Sequence, residues 1–334
     1  MRAPFERRRT EVAAALIAAL VFLDTSAWAR PAAPPVRSDE AREVAFLIHA
    51  GTADSLAAAS LLAHLVPHPD GSEVAAGPDP TRLIDQAVAL APARPDLVWL
   101  QLRDCERRRC PTAARLAERL ESLDPENGFA FSTELRTVPD LPAGDATRIL
   151  ERMGAARNPR LYWNRLTAAL FEALTHRDRA APPTEITRAP DDRLQRVTGL
   201  LAAVDVPAVA PVARYCRLDQ FELPGRRAAC VSVMSRLAVS DSVIAQNMSL
   251  TVQESWWPVG VAERVTLHRL REQHRYLTVA SNRLRPGLAD RDATRRVDAM
   301  RRLPLEEDVE RAMLEDFHEP LQRPSDWQEP TAAP

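Results

Sequence analysis

The 334-residue chain contains no lysine: all 44 of its Lys+Arg positions are arginine. A phosphate-loop lysine, a lysine Schiff base, a Ser-Lys dyad and the strand lysine of a protein kinase all need an amine, so those chemistries are excluded. Glycine is scarce, at 10 residues, and no glycine-rich phosphate loop occurs. H-E-x-x-H and G-x-S-x-G are missing, which removes the zincin helix and the nucleophile elbow. C-x-x-C, the usual dithiol redox motif, is absent as well. Aromatics make up 5% of the chain and β-branched runs are few, leaving little material for strands. A formal net charge of −2 offers no concentrated basic face for nucleic acid.

The N-terminus supplies the first positive signal. Arg2 and Arg7–Arg9 precede twelve apolar residues, Val12 to Leu23, and the stretch ends at Ala27-Trp28-Ala29. A charged head, a short apolar run and small residues at the end predict a secretory signal peptide over residues 1–29, cleaved after Ala29. A membrane span needs about 20 apolar residues, and Asp24 ends this run well short, so no stable membrane insertion is expected. No cysteine follows the run to take a lipid anchor, and Arg8-Arg9 lacks the hydrophobic residues that a twin-arginine signal shows shortly after its pair. The expectation is a soluble periplasmic or secreted protein, and the richness in alanine, proline and arginine fits a GC-rich bacterial genome.

Alanine, leucine and valine supply the apolar content, and alanine and leucine lead the helix scale. Apolar residues recur at helical spacing almost throughout, which predicts an all-α fold. A proline-rich leader over 30–38 should be extended or disordered. An N-terminal helical region follows over 39–176, with segments at Ser55–Val66, Thr81–Pro92, Pro95–Cys105, Pro111–Pro125, Ala146–Ala156 and Asn158–His176. Proline at a first turn costs nothing, because that N–H has no intrahelical partner. The charged, proline-rich run 177–192 predicts a linker or long loop. A C-terminal helical region covers 193–319, with helix-patterned segments DRLQRVTGLLAAV, VAPVARYCRLDQF, RRAACVSVMSRLA, SDSVIAQNMSLTVQESWW, GVAERVTLHRLREQHRYLTVASNRL and a final EEDVERAMLEDFHEP. Four prolines between Pro320 and Pro334 predict a disordered tail.

Two segments can be superposed. Leu90-Ala91-Pro92 and Leu123-Asp124-Pro125 stand 33 residues apart, each at a helix end, each leading into an apolar segment, Leu97-Val98-Trp99 and Phe129-Ala130-Phe131. A period of that length from paired helices marks an α-solenoid of stacked hairpins. AVALAP (Ala87–Pro92) and LDPENGFAF (Leu123–Phe131) resemble the helix end, turn and next helix start of the tetratricopeptide repeat, over about residues 79–137. The glycine and tyrosine that family carries in the first helix of a repeat are absent from PDLVWLQLRDC.

Cys105 and Cys110 bracket CERRRC at the end of one predicted helix and the start of the next. Cys216 and Cys230 flank a second turn, Pro224-Gly225. Of the three formal pairings, the two local ones are expected as disulfides in an exported chain. Structural zinc would need a shorter gap and a matching second pair, so no metal and no cofactor is expected. His64 and His68 are separated by Pro67, and His268, Glu272 and His274 lie among arginines on what reads as a solvated face. Asn247-Met248-Ser249 fits a glycosylation sequon without functional weight in a bacterial helix.

QESWWPVG (Gln253–Gly260) places Glu254 and Ser255 at a helix end, which resembles the Glu-Ser pair of lytic transglycosylases. That resemblance implies Glu254 as the general acid of glycan cleavage; the glycine-rich stretch of that family is missing, the next glycines being Gly260 and Gly287. Trp256-Trp257-Pro258 reads as a bulky plug between helices. The sequence thus predicts a non-enzymatic interaction scaffold whose partner is an envelope protein or peptide, with no catalytic residue. The alternative is a peptidoglycan-acting enzyme built on Glu254.

Overall fold

A computed structural model describes residues 36–64, 78–137, 141–180, 189–282, 289–303 and 305–327. The predicted signal peptide with its cleavage point at Ala29, most of the leader, His68 and Gly287 lie outside the described residues. Among the described residues there are fourteen α-helices and no strand, only an isolated parallel bridge between Asn127 and Asn158. The all-α expectation holds.

The N-terminal helices are α1 (Val36–Ala50), α2 (Ala53–Ala63), α3 (Pro80–Leu90), α4 (Pro95–Arg107) and α5 (Ala113–Leu123). Their starts obey local chemistry. Thr52, rather than Ser55, caps α2: its hydroxyl accepts the Ser55 N–H at 3.1 Å, and the Ser55 hydroxyl accepts the Thr52 N–H at 2.9 Å. Asp79 caps α3 ahead of Pro80 by accepting the Thr81 N–H at 3.0 Å. Helix α1 begins at Val36, inside the segment expected to be an extended leader; buried Val44 and Leu47 anchor it to the core. Helices α3 and α5 end where Pro92 and Pro125 predict, at Leu90 and Leu123.

Beyond α5 the helix start expected at Phe129-Ala130-Phe131 is not formed. Gly128–Ser132 forms a 3-10 turn, followed by a single helical turn, α6 (Thr133–Thr137), and by α7 (Ala143–Ala155). Helix α8 (Trp163–Ala180) starts five residues after the expected asparagine cap at Asn158. The reason is remote: buried Asp241 accepts the N–H of Leu161 at 2.7 Å and of Trp163 at 3.1 Å. Asn127 accepts the Arg160 N–H at 3.0 Å, and Tyr162 takes a left-handed turn at φ 59°. The expected linker shrinks, because α8 runs through Arg177 and Asp178 to Ala180, and Arg193 pairs with Asp178 at 2.8 Å.

Helix α9 (Pro190–Tyr215) is one 26-residue helix where the sequence suggested two segments. It packs on α4, α6, α8, α11 (Val243–Ser255) and α13 (Ala289–Arg302), and by length and composition it alone among the described helices could cross a membrane. It also carries the buried Arg193 and Asp205. Helix α10 (Arg226–Leu237) packs on α7, and α12 (Ala262–Asn282) packs on α11 and on α14 (Glu306–Asp316). Helix α2 packs on α8 as well as on α3, so contacts join helices far apart in sequence.

The main core is continuous from Val44 to Trp256. A second cluster joins Phe171 to Val297 and Met300, and a third contains Tyr276, Leu277 and Leu314. The tail departs from expectation. Residues 320–327 are held against α12, while 328–334 lie outside the described residues.

Candidate functional site

Both local cysteine pairs are disulfide-bonded, with Cα atoms 5.1 Å apart for Cys105–Cys110 and 5.3 Å for Cys216–Cys230. Two disulfides fit an oxidising, exported compartment. The arginines of CERRRC serve the first clip. Asp104 accepts hydrogen bonds from Thr81 Oγ1 at 3.0 Å, Arg107 at 2.7 Å and Arg108 Nε at 3.0 Å, and stands 3.5 Å from the His64 ring. Burial pushes its carboxyl up, but His64, Arg107, Arg108 and Thr81 outweigh that and hold it well below the usual carboxylate range. Arg109 takes the left-handed turn at φ 55° that leads into Cys110.

The second clip closes a surface loop whose base is built from unlike parts. Gly225 sits at φ 73°, a conformation that favours glycine, and opens α10. Fully buried Arg226 then donates to Thr147 Oγ1 at 3.0 Å, to the Tyr215 carbonyl at 3.1 Å and to the Ala143 carbonyl at 2.7 Å, tying α7, α9 and α10 together. Trp256 is the plug the sequence suggested. Its indole N–H donates to the Cys216 carbonyl at 2.9 Å and its ring lies 5.1 Å from Phe221, while Trp257 is half-buried.

Glu254 lies two residues from that plug. Its Oε2 is 2.7 Å from Arg271, and its Oε1 is 3.4 Å from His268 Nδ1 and 3.9 Å from Arg264. The three basic groups all come from α12, so the carboxylate ties the end of α11 to the next helix. Ser255 spends its hydroxyl on the Val252 carbonyl of its own helix, at 2.6 Å. The other histidine of the run does not join them: His274 is buried, 3.7 Å from Glu307 on α14. Glu272 lies 3.9 Å from Arg323. Among the described residues no His, Cys, Asp and Glu cluster could hold a metal ion.

Two carboxylates that sequence reasoning missed face each other in the interior. Burial pushes Asp241 up to about 6 against the pull of the Leu161 and Trp163 amides. Asp205 is driven well above the ordinary value by burial and by Asp241 beside it, and the Ser242 hydroxyl donates to it at 3.4 Å. Burial also raises the Tyr162 phenol, which donates to Asp124 at 2.8 Å and accepts from Asn127 at 3.0 Å. The one signal in the sequence was Asp205 itself, a lone acid in the apolar run Leu200–Val212.

Two surface depressions stand out among the described residues. A polar cavity of about 460 Å³ opens between α8, the start of α9 and α13. Two of its arginines are met within the chain, Arg193 by Asp178 at 2.8 Å and Thr175 at 2.9 Å, and Arg301 by Glu172 and by Asp298 at 2.7 Å, while exposed Arg179 lines the cavity as well. An apolar groove of about 620 Å³ runs beside the second disulfide, lined by Phe221, Leu223, Ala228 and Val231. Val231 is 44% exposed, and Leu218 close by in sequence is 54% exposed.

No family model, no curated protein and no solved structure matches the chain. The likeness to tetratricopeptide repeats rests on the residues quoted for it.

Proposed function

We propose that this chain is an exported, disulfide-stapled helical scaffold that binds an envelope protein or peptide without catalysing a reaction. Helices α3, α4 and α5, within the tetratricopeptide-like stretch at about residues 79–137, form one part of it, and the helices around the second disulfide form the other. The observation that carries the reading is the open apolar groove of Phe221, Leu223, Ala228 and Val231. Exposed apolar side chains gathered in a groove mark an interaction surface. The Cys216–Cys230 clip and Arg226 fix the backbone beneath them, so less ordering entropy is lost on binding.

Two ion-paired carboxylates support the same reading. Asp104 and Glu254 are both engaged by basic groups of their own chain. Mild crosslinking of the tagged protein in its native envelope, with Val231→Asp as the comparison, tests the proposal. A stoichiometric protein partner captured by the native chain and lost from the variant is the expected result; recovery of both proteins alone overturns it. The alternative, glycan cleavage with Glu254 as general acid, draws on the position of Glu254-Ser255 beside two tryptophans.

A further inference from the structure

The C-terminal segment is gripped through its backbone. At the end of α14 the Glu319 N–H donates to the Leu314 carbonyl at 2.9 Å, His318 turns left-handed at φ 57°, and the chain doubles back over α12. There Gln273 uses both ends of its amide. Its nitrogen donates to the Leu321 carbonyl at 2.8 Å, and its oxygen accepts the Arg323 N–H at 2.9 Å. One turn further along the same face, the Tyr276 hydroxyl donates to the Pro320 carbonyl at 2.6 Å. Three main-chain groups within four residues are thus read by two side chains spaced i, i+3, the spacing that puts them on one side of a helix.

Side-chain contacts add selectivity. Leu321 packs on the cluster of Tyr276, Leu277 and Leu314. Trp327 meets Tyr276 edge-on at 5.5 Å, and a turn closed by the Trp327 N–H on the Pro324 carbonyl at 3.1 Å sets the indole beneath the Arg323 guanidinium at 5.1 Å. Arg323 also faces Glu272 at 3.9 Å. Prolines suit such a ligand, since Pro320 and Pro324 bring no N–H that would need a partner.

We propose that the α12 face formed by Glu272, Gln273, Tyr276 and Leu277 is a peptide-binding site that residues 320–327 occupy in cis. Its partner is a segment of the same chemistry: led by proline, non-helical, with an apolar side chain followed two positions later by an arginine. This site is separate from the groove of Phe221, Leu223, Ala228 and Val231 and goes beyond the scaffold reading. Main-chain recognition gives affinity and side-chain pockets give choice, as in other extended-peptide sites. A tethered copy of the ligand acts at an effective concentration in the millimolar range, so a free peptide must outcompete it.

The test uses the full chain and a fluorescein-labelled peptide of residues 319–327, followed by anisotropy. With Leu321→Asp and Trp327→Ala releasing the strap, the peptide should bind saturably and at least about tenfold tighter than to the unaltered chain. Adding Gln273→Ala should abolish that binding. Absence of binding by a released chain that keeps its far-ultraviolet circular dichroism, or binding indifferent to Gln273, overturns the proposal.

Because the released chain could fold poorly, a second variant keeps the tail intact. Gln273→Ala alone should speed hydrogen exchange at the Arg323 amide about tenfold or more while leaving α9 amides unchanged, and an unchanged rate at Arg323 refutes the grip. The two readings fail separately. A crosslinked envelope partner that persists when the peptide does not bind leaves the scaffold standing without this site, whereas peptide binding without any envelope partner does the reverse.

Discussion

Deleting the two disulfides one at a time should cost unequal amounts of stability, in an order set by loop length and burial. The Cys105–Cys110 bridge spans a sequence separation of 5 and Cys216–Cys230 one of 14. The chain-entropy model gives about 2 kcal/mol for the shorter loop and about 3 kcal/mol for the longer. Burial widens the gap. Cys216 and Cys230 are both fully buried, so replacing them by alanine leaves a hole worth about 1 kcal/mol more, whereas Cys110 is half-exposed and can be replaced more cheaply. Cys105→Ala with Cys110→Ala should therefore lower the unfolding free energy by about 2 kcal/mol, and Cys216→Ala with Cys230→Ala by about 4 kcal/mol. Urea unfolding at pH 7 without reductant, followed by circular dichroism, gives both values, provided the slope with denaturant stays constant. Equal losses, or a larger loss from the first pair, would refute the reasoning. As a prior control, thiol reagent applied to unfolded, unreduced protein should modify none of the four cysteines.

Stability should also depend on pH through the buried carboxyl pair. Asp241 and Asp205 both sit above their ordinary values in the fold, so the contribution of each is complete below the unfolded carboxyl value near 4; Asp241 loses its share as pH rises through about 6, and Asp205 as pH rises through its own raised value. For Asp241 the loss is on the order of 2 to 3 kcal/mol. Asp205→Asn removes a carboxyl that is itself raised by burial and by Asp241, and should flatten the fall in melting temperature between pH 4 and 7; an unaltered slope counts against its burial beside Asp241. Below pH 4 the slope should reverse, because Asp104 is shifted downwards and loses its contribution as it protonates. Gly154→Ala should destabilise despite the better helix propensity of alanine, since its Cβ would lie 2.6 Å from Ser232 Oγ and 3.2 Å from the Val233 nitrogen. A loss of about 1 to 2 kcal/mol is expected from overpacking, and a gain in melting temperature would show that α7 and α10 can part freely. Glu254→Gln should leave peptidoglycan turnover unchanged while loosening the α11–α12 junction by about 1 kcal/mol, the worth of a partly exposed ion pair. Loss of turnover in a folded variant would instead establish the enzyme reading.

What could be read from the sequence was whatever is decided within a turn or two of chain. Helix ends at Leu90 and Leu123 were legible because the prolines that follow act locally, and the disulfides because each pair flanks its own turn. Helix α13 escaped notice because its buried apolar residues, Ala293, Val297, Ala299 and Met300, are outnumbered by charged ones in the segment Ala289–Arg302. The expected break in α9 did not occur because Pro207 and Ala203 are both exposed, so the carbonyl that Pro207 leaves without a donor can turn to water. Polar groups divide the same way. Asp104 finds Arg107 and Arg108 three and four residues on, a spacing visible in CERRRC. Asp241 instead holds amides at Leu161 and Trp163, and Gln273 holds a tail that begins 47 residues later at Pro320. No local rule connects such residues, so the start of α8, the buried carboxyl pair and the ordered tail were all misread for one physical reason: the partner that satisfies the backbone lies in a different helix.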